Sequence, residues 1–308
     1  MARARRFDLR NDVEILAAVL FWAFNMTVVK LALRTIDPLA FNLIRFLCAS
    51  SLLLLVARLR EGSLRIEPRD RARLILAGLV GHAIYQICFI EGVSRTTASS
   101  ASLLFGASPV VIAVVSRLAG HERIHLAGAA GALLGFYGVF LIVGGAGGAD
   151  AGSPLPSTQI TGDLLIVAGV ICWAIYTVVS RSLLRTYSPL RLTALSMSIG
   201  TMVLIPLSLP AAMRQDWAAV SPQSWAGLCY SFLFALVISY VVWYRSVKVV
   251  GAVRTAIYSN LVPVFGTIFG VWLLGERLTA GLGFGAACIM GGIALTRLQG
   301  RRDRGNEA

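Results

Sequence analysis

The pentapeptide His121-Glu122-Arg123-Ile124-His125 fits the H-E-x-x-H pattern, in which two imidazoles one helical turn apart grip zinc and the glutamate serves as base. A hydrolytic zinc centre needs a third protein ligand. The only other histidine is His82, and no acidic motif lies deep in an apolar run to complete the set. The same region recurs as Gly275-Glu276-Arg277-Leu278-Thr279, without histidine. The two copies share Glu-Arg, an aliphatic residue, and then a glycine-rich run. We therefore read HERIH as a turn and helix-start signal, with Glu122 and Glu276 in structural roles against an N-terminal helix dipole. No catalytic residue, metal or cofactor is expected, and an intramembrane metalloprotease is the remote alternative.

A second group of reactive side chains lies inside apolar runs, where polar groups are costly and usually face the interior of a bundle. His82 and Gln86 are one helical turn apart, with Tyr85 beside them. His82 could bond to a neighbouring carbonyl, line a cavity or carry a proton, since it titrates near neutrality. Trp22 and Asn25 share one face, as do Trp173 and Tyr176. An interfacial aromatic belt is the alternative, but both tryptophans lie eight or nine residues into their runs, nearer the midplane than a headgroup, which favours a cavity. Pro109 and Pro263 each cost one backbone hydrogen bond and are expected to leave the carbonyls of Phe105 and Ser259 unpartnered. Ser108, Tyr258 and Asn260 stand beside them, and Tyr240 takes the position of Gln86 in the second copy. These residues are the expected substrate contacts, with Pro109 and Pro263 as hinges. Arg45 could hold a substrate carboxylate or bond to helix carbonyls or to Asp37, and the structural role is preferred because a long arginine snorkels easily.

The elements that position these residues follow from composition. Of 308 residues, 57% are hydrophobic and 14% charged, with a mean hydropathy of +0.76; a soluble domain carries about 25% charged residues. Ten apolar runs are long enough to cross a bilayer, which takes about 20 residues: 15–34, 37–57, 74–94, 97–117, 125–144, 164–183, 189–210, 225–245, 253–274 and 279–297. The fold expected is an all-α polytopic membrane protein. The single linker-like connection, GGAGGADAGSPLPSTQITG at 144–162, separates runs five and six. The N-terminal run has no small-residue cleavage site and reads as a retained first helix.

With the N-terminus inside, 22 of the 28 Lys and Arg fall on the inner side and five on the outer. That asymmetry puts both termini in the cytoplasm of a bacterial-type inner membrane. It also accounts for the net charge of +13: the basic residues meet anionic lipid, and no nucleic-acid partner is needed. The five cysteines lie within apolar runs without C-x-x-C spacing, so neither a disulfide nor a cysteine metal site is expected.

The halves repeat. Residues 22–39 match 173–190 at an offset of 151 with 8 identities in 18, among them Trp22/Trp173, Arg34/Arg185 and Pro38/Pro189. At an offset of 154, Pro109 pairs with Pro263, Glu122-Arg123 with Glu276-Arg277, Gly131 with Gly285, and Gly138 with Gly292. Units 1–148 and 149–308 carry five spans each. An odd number inverts the second copy, as in secondary transporters with a midplane site. Duplication alone also fits a channel or a scaffold. The glycine-spaced runs (Gly128, Gly131, Gly135, Gly138; Gly281, Gly285, Gly291, Gly292) permit close helix approach, for tight packing or a dimer contact.

SPVVIAVVSRLAGHERIHLAGAAGALLGFYGVFLI and VPVFGTIFGVWLLGERLTAGLGFGAACIMGGIAL resemble the repeat signature of the drug/metabolite transporter superfamily, EamA type, across essentially the whole chain. PLAFNLIRFLCAS resembles that family's second helix, with Arg45 at its usual arginine. His121 departs from the glycine more common there. The resemblance implies a ten-helix bundle around a central cavity, cytoplasmic termini, and export of amino acids or other small metabolites. The layout is most similar to the family's aromatic amino acid exporters. A drug, sugar or nucleoside permease of the same fold is the alternative. All Asp and Glu are expected in loops or near span ends, so a facilitator is preferred over proton coupling through His82. The partners expected are a small solute and membrane lipid, in a monomer or homodimer.

Overall fold

The structure, a computed structural model, describes residues 9–120, 126–142, 157–250, 255 and 258–306. Among these there are ten helical segments and no strand. They are α1 (Leu9–Ala32), α2 (Pro38–Glu61), α3 (Pro68–Arg95), α4 (Ala98–Leu118), α5 (Leu126–Leu141), α6 (Ser157–Leu183), α7 (Pro189–Arg214), α8 (Pro222–Val249), α9 (Leu261–Leu274) and α10 (Ala280–Asn306). Seven of them (α1–α4 and α6–α8) are long and apolar enough to cross a membrane. The remaining three are shorter in their described apolar parts.

Helix starts follow local chemistry. Asp37 Oδ1 accepts from the amides of Leu39 (2.9 Å) and Ala40 (3.2 Å), and Pro38 opens α2. At the equivalent place in the second copy, Ser188 Oγ accepts from Arg191 N at 3.0 Å and Pro189 opens α7. In both cases a short oxygen acceptor satisfies a first-turn amide while proline presets φ where no donor is needed.

Packing repeats under exchange of the two halves. Helices α2 and α7 pack together, as do α4 with α9 and α5 with α10. The α1–α8 contact is matched by α6–α3, and α1–α9 by α6–α4. A two-fold relation between five-helix units gives this pattern, and it is the arrangement expected of an inverted repeat. Apolar side chains such as Leu59, Leu133, Met202, Trp272 and Phe284 point outward and are exposed. Such a belt suits a chain whose outer surroundings are hydrocarbon.

The tightest seam is α5–α10. A Cβ added at Gly138 would meet the backbone of Gly285 and Ile289, and one at Gly292 would meet that of Gly131 and Gly135. These glycine runs therefore serve packing within the chain. The turn after α9 ends on Gly275 at φ +68°, a left-handed cap that glycine adopts without Cβ strain. In the first copy the positive φ falls on Gly120 (+74°), one residue ahead of the equivalent of Gly275. His121, Glu122 and the rest of HERIH lie outside the described residues.

Candidate functional site

Helices α3 and α8 are both wound as π-helix over part of their length, at Leu79–Ile84 and Ser231–Ile238. At the repeat offset of 154 these stretches coincide, since 79–84 maps onto 233–238. A π turn widens a helix and is frequent at functional sites. Here the two widened stretches flank the centre of the bundle, and Arg45 of α2 joins them. Its Nη1 donates to Ser231 Oγ at 3.0 Å, its Nη2 to Gln86 Oε1, and its Nε to Asn42 Oδ1 at 3.0 Å. Gln86 in turn donates to Tyr240 O–H at 3.3 Å. The expected bonds of Arg45 to Asp37 or to helix carbonyls do not form. Asp37 is spent on its own helix start, and the guanidinium points inward with 1% exposure.

Arg45 looks onto a central cavity of about 640 Å³ of non-atom space, counting its open mouth. Trp22, Asn25, Tyr85, Gln86, Ser108, Trp173 and Tyr240 all line it. One wall is aromatic. The Trp22 ring lies 5.7 Å from Trp173, 5.8 Å from Tyr240 and 5.2 Å from Trp243, and Tyr85 lies 5.7 Å from Trp173. Trp22 Nε1 donates to Ala235 O at 2.8 Å, inside the π stretch of α8. That bond anchors the indole, which meets Trp173 and Tyr240 edge-on, the geometry aromatic quadrupoles favour, and Trp243 at a tilt.

Other expected contacts stand elsewhere. His82 is fully buried behind this wall, with Nε2 3.0 Å from Tyr176 O–H and 3.1 Å from Ser196 Oγ. Tyr176 is likewise buried and outside the lining. Tyr258 donates to Asp12 Oδ1 at 2.6 Å and is outside the cavity lining. Asn260 is buried just before α9 without reaching the lining.

The prolines act differently from the expectation of stripped carbonyls. Helix α4 is interrupted at Gly106–Ala107, and Pro109 falls in the first turn of its second half, Ser108–Leu118. Pro263 likewise falls in the first turn of α9. A first-turn residue has no intrahelical acceptor to lose, so proline costs little there. Phe105 O accepts from Ser108 Oγ at 2.5 Å and Ser259 O from Val262 N at 3.1 Å, so both carbonyls are satisfied.

Three residues escaped the sequence reading. Phe89 and Trp243 line the cavity one turn beyond Gln86 and Tyr240, and they are equivalents at the offset of 154. Adding three to the Gln86/Tyr240 pair would have found them. Asp163 was expected at a span boundary; it lies within α6, fully buried, and accepts from Thr96 Oγ1 at 2.5 Å. Its signal was the offset of 151, which pairs it with Asp12.

Asp163 belongs to a polar cluster at one end of the bundle. Lys30 Nζ donates to the carbonyls of Val93 (2.9 Å), Ser94 (3.1 Å) and Thr96 (2.5 Å). Glu276 caps α4, with Oε1 accepting from Ala98 N at 2.7 Å and Oε2 from Ser99 N at 2.8 Å. The carboxylate thus serves a helix of the other repeat, where it was expected beside its own. At the opposite end, Arg245 and Glu14 form an ion pair at 2.7 Å.

The EamA-like transporter family model matches this chain twice, over residues 12–144 and 160–298. An uncharacterized transporter of Archaeoglobus fulgidus is 30% identical over 278 residues, covering 90% of this chain and 94% of that protein. The uncharacterized transporter YetK of Bacillus subtilis is 29% identical, covering 92% and 86%. A crystal structure with 20% identity superposes with a TM-score of 0.67 over 96% of this chain and 98% of its own, which shows the fold. With two family matches that together span most of its length, this two-repeat, all-helical membrane protein belongs to the EamA-like transporter family.

Proposed function

We propose that this transporter exports amino acids, aromatic or otherwise apolar, by alternating access, as a facilitator in a bacterial-type inner membrane with both termini cytoplasmic. The observation that carries the reading is the central cavity. Its aromatic wall (Trp22, Trp173, Tyr240) offers stacking for an apolar side chain, and Asn25, Gln86 and Ser108 offer hydrogen bonds to polar groups. Asn25 Oδ1 is buried and takes no hydrogen bond from any described residue. It is therefore available to an ammonium group, and a buried acceptor left unpaired is costly. Rocking of the two repeats about the interruptions at Pro109 and Pro263 would expose the cavity to each side in turn.

Facilitation is favoured because no described residue lining the cavity is Asp, Glu or His. Asp163 is held by Thr96 outside the cavity lining, and His82 is bonded behind the aromatic wall. Proteoliposomes should therefore equilibrate a labelled amino acid and not concentrate it under an imposed pH gradient. Accumulation above the external level would replace the facilitator with a coupled carrier. Cells expressing the protein should grow at about tenfold higher concentrations of toxic apolar amino acid analogues, since export lowers the internal dose; heightened sensitivity would reverse the direction. Counterflow with labelled drugs, sugars and nucleosides separates those cargoes.

A further inference from the structure

Among the described residues the charge on Arg45 has no counterpart. Each described hydrogen-bond partner of its guanidinium (Asn42, Gln86 and Ser231) is neutral. No described carboxylate forms an ion pair with it. Phenylalanine rings enclose it as well, with the guanidinium carbon 5.5 Å from the centroid of Phe41, 5.7 Å from Phe46 and 5.3 Å from Phe89. An arginine stays ionised in proteins, and a buried cation without a counter-charge is expensive. The side chain is 1% exposed, and the space it does face is the cavity. Three of its five N–H groups are engaged in these bonds, which leaves two for another acceptor.

We infer that Arg45 is the anion-binding group of the cavity, and that the transported solute carries a carboxylate that completes its charge balance. The neutral partners hold the planar fork at a fixed angle between the two π stretches, and a planar carboxylate suits such a fork. The apolar body of the solute then lies toward Trp22 and Trp173. This deepens the proposed function and rests on the central cavity being the transport site. The shared chemistry is a carboxylate on an apolar body, whose source is an amino acid or a simple carboxylic acid.

The test uses the full-length protein in nanodiscs, with binding read from tryptophan fluorescence. The probes are phenylalanine, 3-phenylpropionate, phenylalaninamide and 2-phenylethylamine. Phenylalanine should bind at least about tenfold more tightly than the last two, which lack the carboxylate. In Arg45→Gln the advantage should vanish, while Arg45→Lys should keep part of it. If Arg45→Gln does not fold, the four probes on the unaltered protein still decide. Equal binding of phenylalanine and 3-phenylpropionate, both above the amine, supports the Arg45 inference and removes the amino-acid reading. Binding of 2-phenylethylamine as tight as that of phenylalanine overturns the Arg45 inference and leaves an aromatic-solute cavity standing. Persistence of the carboxylate preference in Arg45→Gln overturns it too, and binding by none of the four overturns both readings.

Discussion

Gly292→Leu should abolish the folded protein. A Cβ at Gly292 would lie 2.7 Å from the backbone nitrogen of Gly135 and closer still to the carbonyl oxygen of Gly131. Both are backbone atoms of α5, so no side-chain rotamer can move to make room. Overpacking of an ordinary core costs about 1–3 kcal/mol. Here two helices must separate, and the α5–α10 seam loses its contacts along its whole length. In membranes such seams depend on close packing between small residues, because hydrocarbon gives no hydrophobic drive between helices. Gly138→Leu should do the same from the other side, where Gly285 and Ile289 are met. Gly283→Leu is the control on the same helix: nothing lies within 4 Å of its would-be Cβ. Size-exclusion profiles in mild detergent should show aggregate for the first two and a single peak for the third. A monodisperse, transport-competent Gly292→Leu would disprove the seam.

Glu276→Ala should lower stability by about 2–4 kcal/mol, because two hydrogen bonds to an ionised acceptor are lost and each is worth about 1.5–3 kcal/mol, less whatever water restores. The carboxylate takes both Ala98 N and Ser99 N, two of the amides that α4 cannot satisfy within itself. Thr97 Oγ1 supplies a third acceptor, to Ser100 N at 3.0 Å, so the helix start survives in weakened form. Glu276→Gln retains one oxygen and should fall between the two. Thermal melts in detergent give the comparison, and equal midpoints for all three proteins would remove the cap from the account. The bond joins the second repeat to the first at the end that carries Lys30, Thr96 and Asp163. Alternating access requires this tie to break when that end opens, so Glu276→Ala should also shift the cavity toward opening there.

The sequence was most informative where a physical rule acts locally. Apolar length alone gave the helical, membrane-spanning class, since a bilayer leaves backbone groups no partner except their own chain. Internal offsets of 151 and 154 gave the two-repeat plan and placed Trp22 opposite Trp173 and Gln86 opposite Tyr240. Those residues meet in the cavity because symmetry-related positions converge on a shared axis. Glycine spacing marked α5 and α10 as close-packing helices without saying that they pack on each other. The carbonyls expected to be stripped by Pro109 and Pro263 are satisfied, because sequence does not reveal that each proline falls in a helix's first turn, where its missing amide costs little.

Tertiary structure decided which polar residues share a space. His82, Tyr176 and Arg45 are equally buried by any sequence criterion, yet only Arg45 lines the cavity. Glu276 and Asp163 found partners in the opposite repeat, at Ala98 and Thr96, through contacts between residues more than sixty positions apart. Hydropathy and spacing are sums over neighbours in the chain. A hydrogen bond between repeats depends on how far each helix is rotated and slid, which packing of the whole bundle fixes at once.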